Sequence, residues 1–137
     1  MHFVINCIPP KKTHQSSLRI FKPKGFNHTI VARDKKGQQT QNELMWLLIP
    51  YKPEKPLEGA LKLSVKWVYP YRASEPKKNR VSDIHCITRP DCDNLAKGLN
   101  DCLTRLGFWL DDSQVYELKF TKLYGSNPRI EIELEEV

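Results

Sequence analysis

Asp91-Cys92-Asp93-Asn94-Leu95-Ala96-Lys97-Gly98-Leu99-Asn100-Asp101-Cys102-Leu103-Thr104-Arg105-Leu106-Gly107 decides how the rest of the chain must be arranged. At about 100° per residue, with Asp93 set at zero, Leu95, Leu99, Cys102 and Leu106 fall between about 180° and 240°. Lys97, Asn100, Asp101 and Thr104 fall within about 80° of Asp93. The segment is therefore an amphipathic helix with one face for a core and one face carrying Asp93, Lys97, Asn100 and Asp101 together. Asp93 suits the N-cap, where a short side-chain oxygen satisfies orphan amide N–H groups. Gly107 suits the left-handed residue that closes the last turn.

Outward from this helix, Phe108-Trp109-Leu110 is apolar and should return the chain to the core. Val115 to Lys122 alternates, with Tyr116, Leu118 and Phe120 on one side and Glu117, Lys119 and Thr121 on the other, which predicts a strand. Ile130, Ile132 and Leu134 alternate with Arg129, Glu131, Glu133 and Glu135. The turn Gly125-Ser126-Asn127-Pro128 between them predicts an antiparallel hairpin. Upstream, Leu61, Leu63, Val65, Trp67 and Tyr69 alternate with Lys62, Ser64, Lys66 and Val68, a half-buried strand ended by Pro70. Residues 2–8 predict another strand, stopped by Pro9-Pro10. Thr40 to Ile49 predicts a helix with Leu44, Leu47 and Leu48 inward, stopped by Pro50, and Tyr51 to Gly59 a proline-rich connector. Residues 11–39 predict a long basic loop or arm with a short strand near His28–Ala32, and residues 71–90 a second basic loop. Trp46, Trp67 and Trp109 read as core rather than as base-stacking residues. The expectation is one α/β (α+β) domain over residues 1–137: a small mixed sheet of about four strands packed with two main helices.

With 137 residues, 39% apolar and 28% charged, the chain has the size and balance of one soluble domain. No run approaches the ~20 apolar residues of a membrane helix. Met1 to Ile8 has neither a basic leader region nor a small-residue cleavage site, so a cytoplasmic location is expected. The four cysteines, Cys7, Cys86, Cys92 and Cys102, lack C-x-x-C spacing and read as reduced thiols. A zinc site from His85, Cys86 and Cys92 would fit no common module. The net charge of +6 is uneven. Residues 1–40 hold eight Lys/Arg and one acid, whereas residues 107–137 hold three Lys/Arg and seven acids. Phosphate binding would use such asymmetry, because each neutralised phosphate releases counterions.

Against that basic background, Asp91, Asp93 and the pair Asp111-Asp112 are conspicuous. Each alone reads equally as a cap or turn residue. Together they suit a hard divalent cation, which takes oxygen ligands and is held by a few carboxylates plus a substrate phosphate. Asp91 and Asp93 project to one side if the backbone there is extended. Asp112 rejoins them if Phe108–Leu110 runs beside the helix. Lys97, one turn after Asp93, could stabilise charge on a phosphate, or simply pair with Asp93 or Asp101. Asp101 reads as a solvated or outer residue. No glycine-rich phosphate cradle is present, which disfavours a nucleotide or sugar-nucleotide enzyme.

Arg89 through Leu103, followed by Gly107-Phe108-Trp109-Leu110-Asp111-Asp112-Ser113-Gln114-Val115, resembles the signature of RusA-type Holliday junction resolvases, often prophage-encoded. The likeness runs through about 27 residues. It implies a small homodimeric endonuclease of bacterial or phage origin. Such an enzyme binds four-way junction DNA and cuts two strands of like polarity symmetrically with Mg²⁺ or Mn²⁺. By the same resemblance Asp91, Asp93 and Asp112 are the metal-binding acids and Lys97 the essential lysine. Asp111 is the neighbouring, less critical acid, and Asn94 holds a motif position of unassigned role. Lys11, Lys12, Lys77, Lys78, Arg80 and Arg89 are candidate DNA contacts by charge and position. No membrane and no small-molecule cofactor are expected. The alternative is a non-catalytic nucleic-acid-binding protein in which the acids are caps and ion pairs.

Overall fold

β4 (Leu61–Pro70) organises the molecule, because its alternation puts Leu61, Leu63, Val65, Trp67 and Tyr69 on one buried face. The computed structural model describes residues 1–11, 18–21, 30–33 and 35–137. The remaining named elements are β1 (His2–Ile5), β2 (Leu18–Phe21), β3 (Ile30–Arg33), α1 (Lys35–Leu48), β5 (Ile84–His85), α2 (Cys92–Leu106), β6 (Val115–Gly125) and β7 (Arg129–Glu136). Five strands form a mixed sheet in the order β1-β7-β4-β6-β5, and β2 pairs with β3 in a separate two-stranded sheet. The architecture is the expected α+β domain with one strand more in the main sheet.

The expected hairpin is not formed. β4 lies between β6 and β7, parallel to the first and antiparallel to the second. The strand with the most apolar inward side chains takes the centre, and the 125–128 turn passes over its end instead of closing a hairpin. Pro70, a residue that cannot donate a ladder hydrogen bond, ends β4 beside Gly125. A Cβ at Gly125 would lie 2.9 Å from Val68 Cγ1 and would strike the Asp83 carboxylate. Asp83 cannot easily yield, because Arg129 Nη2 grips it at 3.1 Å.

Parallel register places Leu118, Phe120, Lys122 and Tyr124 of β6 on the same face as Leu63, Val65, Trp67 and Tyr69. That face receives the helices. Leu95, Leu99, Cys102 and Leu103 of α2 join Leu44 and Leu48 of α1 and the strand residues in one core. The predicted apolar stripe of α2 is thus borne out, and Gly107 has the expected left-handed backbone, φ 82°. α1 begins five residues earlier than Thr40, and its inward stripe is Gln41, Leu44 and Leu48 rather than Leu44, Leu47 and Leu48. Leu47 is exposed, and Trp46 is 73% exposed, a correction to its expected place in the core; Trp67 and Trp109 are buried as expected. Phe108 and Trp109 return to the core, and Trp109 Nε1 donates to Thr104 Oγ1 at 2.7 Å. Leu110 does not follow them and is 63% exposed. Within the expected 11–39 arm, β2 and β3 pair antiparallel and α1 has already begun.

The other face of the main sheet is open. Lys62, Ser64 and Lys66 of β4 stand opposite Glu135, Glu133 and Glu131 of β7, with Glu117 and Lys119 of β6 beside them. Lys62 pairs with Glu117 at 3.9 Å on this face, and Arg129 with Glu131 at 2.9 Å.

Replacing Gly125 with alanine should cost about 1–3 kcal/mol of stability, as overpacking does at a site whose neighbours are fixed. Urea unfolding, read as a lower midpoint at unchanged slope, checks this.

Candidate functional site

Two short segments carry the acids that the sequence singled out. In the first, Asp91 is the N-cap residue of α2, with extended backbone at φ −75° and ψ 149°. Its side chain makes no capping hydrogen bond. The cap therefore falls two residues before Asp93, which lies in the first helical turn. Asp93 and Lys97 are exposed and Asp101, next at helical spacing, is half-buried. The ion pairs among the described residues are Lys62–Glu117, Arg72–Glu75, Arg129–Asp83 and Arg129–Glu131. Lys97 is bound to neither Asp93 nor Asp101. The simple helix ion pair that would have explained Lys97 is not made.

The chain leading to Asp91 lies along the inner face of β6. Cys86 N donates to the Lys122 carbonyl at 3.1 Å. Thr88 Oγ1 and the Tyr124 hydroxyl are 2.6 Å apart, and Cys92 Sγ lies 3.8 Å from the Phe120 carbonyl. The Arg89–Pro90 peptide is cis. None of the four cysteines is in a disulfide.

In the second segment, Asp111 caps the 3-10 turn Asp112–Gln114 and accepts from Ser113 N at 3.0 Å. Gln114 fixes this turn with four hydrogen bonds. Its Oε1 accepts from Leu110 N at 2.8 Å and Asp111 N at 2.9 Å. Its Nε2 donates to the carbonyls of Leu57 at 2.9 Å and Gly59 at 3.0 Å. The acid pair is thereby pinned to the connector that precedes β4. The two carboxyls face each other, and their titrations separate. The Ser113 amide, with a hydrogen bond from Asp112, holds Asp111 below the usual carboxylate range. The hydrogen bond to Asp111, slight burial and the charges of Asp111 and Asp101 push Asp112 up.

Asp91, Asp93, Asp111 and Asp112 are all exposed. Asp112 interacts with Asp111 and Asp101, and carboxylate oxygens of this kind are the ligand type a hard divalent cation takes. Among the described residues, no group of three or more His, Cys, Asp or Glu side chains is placed to hold an ion unaided. Mg²⁺ needs no such cage, because it keeps waters and takes substrate phosphate oxygens beside one or two carboxylates.

The candidate DNA contacts differ in what they do. Lys77 and Lys78 lie in an exposed 3-10 turn, and Arg89 is exposed. Lys11 Nζ stands 6.0 Å from the centre of the Tyr69 ring. Lys12 lies outside the described residues. Arg80 folds its guanidinium back on its own loop: Nε donates to the Glu75 carbonyl at 3.0 Å, and Nη2 to the carbonyls of Arg72 at 3.0 Å and Ala73 at 3.3 Å. The Tyr71 hydroxyl closes the same loop on the Ser82 carbonyl. Arg72, 5.0 Å from the Tyr124 ring centre, ties the loop to β6.

A family model described as "Endodeoxyribonuclease RusA" matches residues 8–135. The chain therefore belongs to the RusA endodeoxyribonuclease family. It is 37% identical over 94 residues to "Uncharacterized protein YqaN" of Bacillus subtilis (strain 168), covering 64% of this chain and 65% of that protein. It is 48% identical over 50 residues to the "Crossover junction endodeoxyribonuclease rusA" of Lactococcus phage r1t, covering 36% of this chain and 38% of the relative. Over 50 residues it is also 42% identical to the "Crossover junction endodeoxyribonuclease RusA" of Escherichia coli (strain K12), covering 36% and 42%. In each case the match spans less than two thirds of the relative's length.

Gln114→Leu should lower stability by about 1–2 kcal/mol, since its hydrogen bonds are partly exposed and each contributes about 0.5–1.5 kcal/mol net. Amide exchange at Leu110 and Asp111 should accelerate in the variant, measured by NMR or mass spectrometry.

Proposed function

We propose that this protein is a Mg²⁺-dependent, structure-selective DNA endonuclease that resolves four-way junctions by paired, symmetric nicks, with Mn²⁺ able to replace Mg²⁺. It acts in the cytoplasm as a homodimer, whose two-fold symmetry would present two equivalent sites to two equivalent strands. The observation that carries the reading is family membership over residues 8–135 in a chain whose Asp91 occupies a capping position without capping. A carboxylate at that position normally satisfies the helix. Here it is left for another partner.

A bound Mg²⁺ supplies charge neutralisation at the scissile phosphate and a more acidic water. The protein's own part is to hold Asp91, Asp93 and Asp112 as oxygen donors and to keep Lys97 nearby as a cation for the charge that develops on the phosphate. Asp111 retains Asp112 in its turn. Lys77, Lys78 and Arg89 neutralise flanking phosphates and give binding its salt dependence. Arg80 serves the same end indirectly, by keeping the basic loop folded.

The test is a labelled four-way junction incubated with the protein and Mg²⁺, beside a duplex of matched sequence. Asp93→Asn should lose at least about 100-fold in cutting rate while binding the junction as well or better, because a charge that repels phosphate is gone. Lys97→Ala should lose roughly 100- to 1,000-fold in rate with binding intact. A wild-type chain that binds the junction but fails to nick it whichever divalent cation is supplied would be the non-catalytic binder instead. An Asp93→Asn variant that cuts at the wild-type rate would end the proposal.

A further inference from the structure

Lys122 lies on β6 in register with Trp67, on the face of the sheet that receives the helices. Its ammonium is spent on backbone carbonyls. Nζ donates to the carbonyl of Thr88 and to the carbonyl of Pro90, each at 2.6 Å. Lys122 takes part in none of the ion pairs among the described residues. Both bonds are charge-assisted, the stronger class of hydrogen bond.

The Pro90 carbonyl belongs to the rigid peptide plane whose other end is the Asp91 nitrogen. Holding that oxygen fixes the plane and with it the rotation that carries Asp91. On the far side, the Asp91 carbonyl accepts from Leu95 N at 3.1 Å as the first bond of α2. Asp91 is therefore clamped on both sides, by a lysine before it and by a helix after it. Since its carboxylate does not cap the helix, only its own side-chain rotations remain free. Lys122 reaches this segment from 32 residues away in sequence, and neither carboxylate nor phosphate chemistry is needed to account for its grip.

We infer that Lys122 is a positioning residue: through the Thr88 and Pro90 carbonyls it sets the direction in which Asp91 presents its carboxylate to a divalent cation. The inference rests on the metal-dependent reading above and goes beyond it, since Lys122 itself touches neither cation nor DNA.

The experiment titrates Mn²⁺ into the full chain by calorimetry or electron paramagnetic resonance, for wild type, Asp91→Asn, Lys122→Met and Lys122→Arg. Junction cleavage is then measured across a range of Mn²⁺ concentrations. Lys122→Met should bind Mn²⁺ roughly 10- to 100-fold more weakly, the usual penalty for losing a residue that orients a ligand. Its kcat should fall at limiting Mn²⁺ with KM for the junction unchanged. Excess Mn²⁺ should restore the rate in Lys122→Met but not in Asp91→Asn. Lys122→Arg, which can also donate to two carbonyls, should recover most of the affinity. If Lys122→Met does not fold, Lys122→Gln replaces it, with affinity expected to fall in the order Lys, Arg, Gln. Equal Mn²⁺ affinity in wild type and the Lys122 variants overturns the inference, as does a loss of rate that excess Mn²⁺ fails to restore. It also falls if Asp91→Asn binds Mn²⁺ as wild type does. A wild-type chain that binds Mn²⁺ through Asp91 yet nicks no junction sinks the nuclease reading alone and leaves the affinities to decide this one.

Discussion

The burial of β4 between β6 and β7 is the constraint on which the rest of the molecule depends. Its inward side chains, Leu61 through Tyr69, are almost wholly excluded from water, and each large one contributes about 1.5–3 kcal/mol by leaving it. A strand with that much apolar surface cannot stay at an edge. β6 runs parallel to it, and a parallel neighbour needs a crossover, which α2 supplies within the stretch between β4 and β6. The acid-bearing segments are the two ends of that crossover. Asp91 stands where the chain enters α2, and Asp112 stands where it leaves for β6. The two acid-bearing segments thus sit where they do because β4 and β6 are parallel neighbours joined through α2.

The same arrangement makes β6 a rail. Its inner face, residue by residue, touches the chain that leads into α2: Phe120 at Cys92, Lys122 at Cys86, Thr88 and Pro90, Tyr124 at Thr88. A short segment without regular structure acquires a fixed course because alternate positions of a long strand each hold part of it. The basic 71–83 loop is disciplined differently, by its own arginines and tyrosine acting on its own carbonyls, and then fastened by Arg129 and Arg72.

Much of this could be read from residues alone, for identifiable reasons. α2 was legible because its period, its polar face and Gly107 all agree. β4 was legible because its alternation runs without interruption. The motif acids were legible as a sequence pattern, although the cap fell on Asp91 and not Asp93, since an aspartate serves at either position. Strand order was not legible. The 125–128 turn has the chemistry of a hairpin, and only competition with β4 for the centre of the sheet rules the hairpin out. The start of α1 was hidden because Lys35 to Gln39 carries no apolar periodicity, and Trp46 misled because residue type alone does not say which way a helix is rotated. Gln114 and Lys122 escaped for a common reason. Each bonds to backbone atoms far away in sequence, at separations of 55 and 57 residues for one and 32 and 34 for the other, and carbonyls leave no mark in a sequence.

The open face of the sheet has one more effect. Lys62, Lys66 and Lys119 there are matched or outnumbered by Glu117, Glu131, Glu133 and Glu135. Three lysines against four glutamates give these side chains a net charge of −1, so they add nothing to the chain's +6. A polyanion approaching this face meets no net attraction from these side chains, so electrostatic steering does not favour contact here.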